Sequence, residues 1–286
     1  NKVIMSIICS IIFALVFCLP TSQLIIWYFS DSALNIFINL QLLINSTFVG
    51  VFASCVTVFF AISLALSFRQ LNSLKPLIII STSGYAIPGS VISAGLLIGF
   101  DFLFDTSITF YGIFGLIICL ALRFMTPAFN YISTSLLNIS KSAEHALATQ
   151  PSNQLKAFSY FYLPQMKPAI YLSLMLVFIE SVKEQPATLL LRPLGFDTLS
   201  TKIYNYTSEG QWEMAAGPSL FLVAISLIFV YVINKNIDIS EFSSVVDDNR
   251  DITEWSPLVA TGWRQIWTPK LKIPEYIIGN MNADSL

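Results

Sequence analysis

The chain has 286 residues, of which 55% are hydrophobic and only 11% charged, and its mean hydropathy is +0.70. Soluble domains carry about 25% charged residues, so an ordinary soluble enzyme is excluded and lipid is the solvent for most of these side chains. A net charge of −2 gives no electrostatic basis for binding nucleic acid.

Six stretches approach or exceed the roughly 20 residues that a helix needs to cross a bilayer, near 3–20, 42–68, 76–100, 108–125, 168–192 and 214–234. The first follows Lys2 and lacks an A-x-A-like cleavage site after Leu19-Pro20, so it reads as a retained helix rather than a secretory signal. The third contains Gly84, Pro88 and Gly89, which predict a bend, and a Gly95/Gly99 pair that predicts close helix packing. The fifth is interrupted by Glu180, Lys183, Glu184 and Pro186. Irregular backbone within a membrane requires protein or a water-filled cavity around it, so the third and fifth spans are expected to line a pathway.

Between the fourth and fifth spans lies the longest polar insertion, residues 126–167. It reads as two short helices, 136–149 and 155–161, separated by the turn Gln150-Pro151-Ser152-Asn153. Leu163-Pro164 closes the second helix in this reading, and Pro168 opens the next span. Ala143, Ala146 and Leu147 form an apolar face, with Lys141 and Glu144 beside it, suited to a groove in a soluble partner. The alternative is a solvated connector.

Lys2, Arg69, Lys75, Arg123, Lys141, Lys156, Lys167 and Lys235 fall on one side of a six-span path. Asp31, Asp101 and Asp105 fall on the other. The positive-inside rule then makes both termini cytoplasmic, although Lys183, Arg192 and Lys202 in the last outer loop reduce the asymmetry. Residues 1–236 form the membrane domain, and 237–286 a polar, acidic cytoplasmic tail to which no role is assigned. Trp263, Ile266 and Trp267 in that tail suit either an interfacial helix or a loosely ordered extension.

A charge within a span counts as a functional-site hypothesis. Glu180, Lys183 and Glu184 stand at i, i+3 and i+4 and would share one helix face. They are read either as a translocation path or gate, or as an internal ion pair that holds the bend at Pro186. Cys9, Cys18, Cys55 and Cys119 lie in apolar blocks without C-x-x-C spacing and read as free thiols. With His145 the single histidine, no His-based metal centre is expected. Tyr204, Tyr206, Glu209 and Glu213 are oxygen ligands of the type that ferric iron takes, yet outer-loop tyrosines more often form an interfacial belt, and no metal site is assigned. No G-x-x-x-x-G-K-[ST] loop is present, so the chain is expected to bind no cofactor and to leave ATP hydrolysis to another subunit.

The run from Lys183 to Thr198, with Thr201-Lys202-Ile203-Tyr204 and Ser208 to Ala216, resembles the signature of permease subunits of bacterial ferric-iron ABC importers. These are MetI-like inner-membrane components of binding-protein-dependent transport systems, and the resemblance is to their C-terminal half. The insertion is similar to the "EAA" coupling loop of such permeases. Aligned on Ala157-Phe158 and Leu163-Pro164, the family Glu falls on His145, its two Ala on Ala146 and Leu147, and its Gly on Pro151. Glu144 stands one place earlier.

The resemblance implies an all-α, six-helix type I ABC importer permease core with cytoplasmic coupling helices, located in the bacterial inner membrane. It implies a cytoplasmic ABC ATPase dimer, a periplasmic iron-binding protein and a second permease half as partners. The chain, starting at Asn1, reads as a fragment. Thiamine, a polyamine or an inorganic anion are alternative cargoes. An ion-coupled carrier, with Glu180 and Glu184 as coupling carboxylates, is the alternative mechanism, and a membrane scaffold is a third.

Overall fold

The computed structural model describes residues 2–30, 36–70, 75–104, 108–140 and 154–236, and every regular element among them is helical. The expectations for Lys141, Glu144, His145, Ala146, Leu147, Pro151 and the tail beyond 236 fall outside the described residues. Four helices are long and apolar enough to span a membrane: Val3–Ser30, Leu40–Arg69, Phe158–Lys183 and Trp212–Ile233. Two broken pairs, Pro76–Ala86 with Gly89–Phe102 and Gly112–Arg123 with Met125–Leu137, bring the number to six if each is one span. The fold is therefore all-α and transmembrane.

The first span consists of α1 (Lys2–Phe13), a π turn (Ala14–Cys18) and α2 (Leu19–Ser30). It continues ten residues beyond the expected end at 20. Pro20 does not stop it because the π turn comes first: the Leu19 N–H reaches back five residues to the Ala14 carbonyl, so the ladder has already shifted where the proline withholds a donor. The window Val3–Ser30 buries none of its residues within the chain, while α2 runs against the last helix. Such an all-round apolar helix suits lipid or a further protein surface.

Helix α3 (Ile36–Gln70) is the central post. Its small residues Ala53, Ser54, Ala61 and Ala65 are buried and let neighbouring helices approach closely. The hydroxyls of Ser54, Thr57, Ser63 and Ser67 bond within the helix, as Thr57 Oγ1 does to the Ala53 carbonyl at 2.6 Å, so they add no unsatisfied polar group. The core around α3 includes Leu116, Leu120, Ile132, Met166 and Val177.

The third span is broken as expected. Helix α4 (Lys75–Thr82) leads into a 3-10 turn at Ser83–Ala86, and α5 (Gly89–Phe104) follows at 115° to it. Ile87, ahead of Pro88, is extended with φ −89° and ψ 132°, as a residue preceding proline prefers. Gly84 packs its α-carbon against the Leu122 carbonyl, and a β-carbon there would collide with it. Gly95 and Gly99 pack against no other helix among the described residues: nothing there lies within 4 Å of a β-carbon built at either position.

The fourth span does not end at 125. Helix α6 (Ile108–Arg123) is followed after a 51° bend by α7 (Met125–Leu137). This segment has the composition of a loop, with Thr126, Asn130, Ser133, Thr134 and Ser135, but it is amphipathic. Met125, Ala128, Phe129, Ile132 and Leu136 are buried along one face, at the i, i+3, i+4, i+7 spacing of a core-facing helix. The expected helix from Leu136 onward is thus not formed at its start, because α7 ends at Leu137. Arg69, at the end of α3, donates to the carbonyls of Leu136 and Ile139 and so caps that terminus.

Leu163-Pro164 likewise fails to close a helix. Helix α8 (Gln154–Ala157), a π turn at Phe158–Tyr162 and α9 (Leu163–Lys183) follow without a break. The Leu163 N–H bonds to the Phe158 carbonyl, repeating the π-turn-before-proline device of the first span. After α9 come α10 (Pro186–Leu191), α11 (Leu199–Ser208) and α12 (Trp212–Asn236).

Gly84→Ala is expected to lower stability by about 1–3 kcal/mol, the usual cost of overpacking. Gly95→Ala, in open space on a helix, is expected to be neutral or up to about 1 kcal/mol stabilising. Thermal unfolding of the two variants in one detergent distinguishes these outcomes, and equal melting temperatures would contradict the packing described.

Candidate functional site

Three interrupted helices end at the same place. Helix α9 stops at Lys183, because Pro186 has no N–H to offer the ladder and its ring would strike the carbonyl one turn earlier. Glu184 leaves the helix with φ −69° and ψ 115°, and Pro186 then opens α10 at a position where its missing donor costs nothing. Helix α6 stops at Arg123, with Phe124 at φ −96° and ψ 14° between it and α7. The third interruption is the bend at Ile87-Pro88-Gly89.

Arg123 and Glu184 join these ends. Arg123 Nε lies 3.4 Å from Glu184 Oε2, with the two side chains only 22% and 8% exposed. Arg123 Nη1 donates to the Ile87 carbonyl at 3.3 Å. Gly89 provides the space: a β-carbon there would collide with Glu184 Oε1 and come within 2.6 Å of Arg123 Nη1. The Glu184 carboxylate accepts a bond from the Ala187 backbone, while Arg123 Nε, Glu184 Oε1 and the neighbouring Ser181 Oγ are buried without hydrogen-bond partners among the described residues. One turn before Arg123, the buried Cys119 Sγ lies 3.8 Å from Ser93 Oγ.

The charges of the fifth span therefore divide differently from the expectation. Lys183 Nζ bonds Glu180 Oε1 at 3.0 Å, and both remain substantially exposed, at 45% and 34%. Glu184 is instead buried and paired with Arg123, while the chain leaves the helix just after it. Arg123 is also reassigned. Counted with the cytoplasmic cations, it lies at the junction of the bent pair Gly112–Arg123 and Met125–Leu137, mid-membrane if that pair is one span. The sequence signal for this was present, a lone arginine between two apolar helical faces, but the polar composition of 126–137 concealed the second face.

The carbonyl of Glu184 accepts from Thr188 Oγ1 at 2.7 Å and Ser200 Oγ at 3.2 Å. This ties α10 and α11 to the break. Helix α11 was not expected from the sequence; it is started by a reciprocal capping box between Thr198 and Thr201. It is anchored to α3 by the Leu199 N–H to Ser46 Oγ, 2.7 Å, and by Asn45 Nδ2 to the Asp197 carbonyl, 2.8 Å. Asp197 pairs with Arg192 and, at 3.9 Å, with Lys202, closing a turn in which Gly195 takes φ +79°, a conformation that favours glycine. Leu191 and Thr188 of α10 are buried, and the Leu191 carbonyl crosses Gly112 so closely that a β-carbon would lie 2.8 Å away.

Of the other expected residues, Leu163 is half-buried and Pro164 exposed at the start of α9. Tyr204 is 45% exposed, and Tyr206 receives Lys202 Nζ at 4.7 Å from its ring centroid. Among the described residues, no three His, Cys, Asp or Glu side chains gather as a metal site would require.

No family model matches the chain. It is 30% identical over 152 residues to the Fe(3+)-transport system permease protein FbpB 2 of Haemophilus influenzae, covering 53% of this chain and 29% of that one. It is 31% identical over 123 residues to the ferric transport system permease protein FbpB of Actinobacillus pleuropneumoniae, covering 42% and 18%. The matched stretches thus span less than a third of these ferric permeases. A protein of Salmonella typhimurium named as the permease PhnV of a 2-aminoethylphosphonate transport system is 23% identical, over 80% of this chain and 92% of its own. Among solved structures, a chain of a bacterial alginate ABC transporter, crystallised with its alginate pentasaccharide-bound periplasmic protein, superposes with a TM-score of 0.59 at 17% identity. It covers 82% of this chain and 93% of that one, and so shares the fold. The chain is a homologue of the inner-membrane permease components of binding-protein-dependent ABC importers.

Proposed function

We propose that the chain is the membrane-spanning part of an ATP-driven importer that passes ferric iron from a periplasmic binding protein to the cytoplasm. The observation that carries this reading is the Glu180–Lys183 pair, substantially exposed on a membrane span beside a cluster of interrupted helices. Charges within a span face a bundle interior or a water-filled cavity, and irregular backbone is tolerated in the same surroundings. The side of α9 that carries this pair therefore faces a polar path or a second permease half, with Glu184 and Pro186 forming its gate.

The named function of the ferric permeases favours iron as cargo. The near full-length match to the phosphonate permease makes a small anion the competing cargo. Iron would move through without being held, since a carrier that must release its cargo gains nothing from tight ligation. Even without Arg123, the cations Lys2, Arg69, Lys75, Lys141, Lys156, Lys167 and Lys235 support a cytoplasmic position for both termini by the positive-inside rule. A paired cytoplasmic ATPase then meets the loop of Glu144, His145, Ala146, Leu147 and Pro151, with Leu163 and Pro164 at the base of α9.

The test is uptake of radiolabelled ferric iron into proteoliposomes containing the full-length permease, its ATPase and its binding protein. ATP-dependent accumulation that falls in Glu144→Ala/His145→Ala is the expected result. Lys183→Gln, which leaves Glu180 without its cation, is expected to slow uptake while assembly is retained. Iron uptake indifferent to ATP would overturn the importer class. Accumulation of 2-aminoethylphosphonate in place of iron would keep the permease and overturn the cargo.

A further inference from the structure

We propose that the Arg123–Glu184 ion pair is a latch: it holds the three interrupted spans in this arrangement and opens during each transport cycle. The inference rests on the importer reading and adds to it the residue pair whose opening lets the gate move.

A permanent brace and a latch differ in their bonding. A buried charge pair is net stabilising only when its geometry is excellent and its remaining hydrogen-bonding capacity is filled. Here the contact is single-pronged at 3.4 Å, and although the Ala187 backbone bonds the Glu184 carboxylate, Arg123 Nε, Glu184 Oε1 and Ser181 Oγ have no hydrogen-bond partner among the described residues. A half-satisfied polar cluster contributes little as glue, yet this one sits where three segments end. It suits a contact that specifies one of two arrangements more than one that holds the bundle permanently.

The surroundings make the contact all-or-none. With Gly89 against both charged groups, the end of α5 has no room to slide while the pair is made. Separation of the pair would remove the one charged contact among the ends of α5, α6 and α9 described above, leaving their apolar packing to choose between arrangements, and close-packed elements move between discrete arrangements rather than continuously. The connections run in both directions. The Glu184 carbonyl holds α10 and α11 through Thr188 and Ser200, and α11 is part of the outer segment. Beyond Arg123, α7 leads to the 141–153 loop, and its end is gripped by Arg69. A contact so placed lets an event at the loop reach the outer face.

The protein carries its own reporter. Cys119 is fully buried, one turn before Arg123 and against Ser93 of α5, whereas Cys9, Cys18 and Cys55 are exposed. With those three replaced by serine in the full-length permease, assembled with its ATPase and binding protein in proteoliposomes, the rate at which N-ethylmaleimide labels Cys119 measures water entry between α5 and α6. In the parent, ATP turnover is expected to raise that rate. Glu184→Gln is expected to raise it about tenfold or more without ATP, as a shift in population toward the open arrangement requires. The exchange Arg123→Glu/Glu184→Arg is expected to restore both protection and the response to ATP. Gly89→Ala keeps both charges but presses them apart with a methyl group, and is expected to reproduce the Glu184→Gln rate. Cys119 as protected in Glu184→Gln and Gly89→Ala as in the parent would overturn the latch, as would a parent rate unmoved by turnover. Labelling needs no iron, so a wrong cargo leaves this result standing, and a failed latch leaves ATP-driven iron uptake intact.

Discussion

A guanidinium and a carboxylate that leave water together must find each other or incur several kcal/mol of desolvation. That constraint organises this molecule. Arg123 ends one helix, Glu184 ends another, and the turn at Ile87 to Gly89 supplies a carbonyl and an empty β-carbon position between them. If any of the three helices ran straight through, the pair would lose a partner or the space it occupies. The breaks and the charges are one feature, and the rest of the bundle is arranged around it.

Elsewhere the polar groups that break the apolar pattern are dealt with locally. Thr57, Ser63 and Ser67 return their hydroxyls to carbonyls of α3, and both π turns come just ahead of a proline, where the ladder needs a place to lose a donor. Arg69 spends its charge on the free carbonyls at the end of α7. The Arg123–Glu184 cluster is the contrast, holding buried polar atoms that lack partners.

Much of this was legible in the sequence because it depends on local chemistry. Pro88 between Gly84 and Gly89 announced the bend, Pro186 after Glu184 announced the break, and the last span was placed within two residues. The errors have a shared cause, in that average hydropathy is blind to face. Residues 126–137 are polar by composition and helical by periodicity, and treating them as a loop hid the second half of the bent pair that follows Arg123. The first span was ended at 20 and a helix was closed at Pro164, because a π turn has no compositional signature. Helix α11 was missed although Thr198 and Thr201 carry a reciprocal cap, because that cap uses threonine where glutamate or glutamine is usual. That Glu184 pairs with Arg123 rather than with Lys183 required the fold itself, since Arg123 lies 61 residues away in the sequence.

The most direct test of the claim that this pair joins the breaks is a double-mutant cycle. The melting of the wild-type permease, Arg123→Met, Glu184→Gln and the combined variant would be compared in one detergent. Residues that share a buried contact show interaction energies of about 0.5–3 kcal/mol. The account predicts a coupling toward the upper end, with the double variant less destabilised than the sum of the two singles. Additive effects would show that Arg123 and Glu184 act independently and would contradict the description of the site as a single joint.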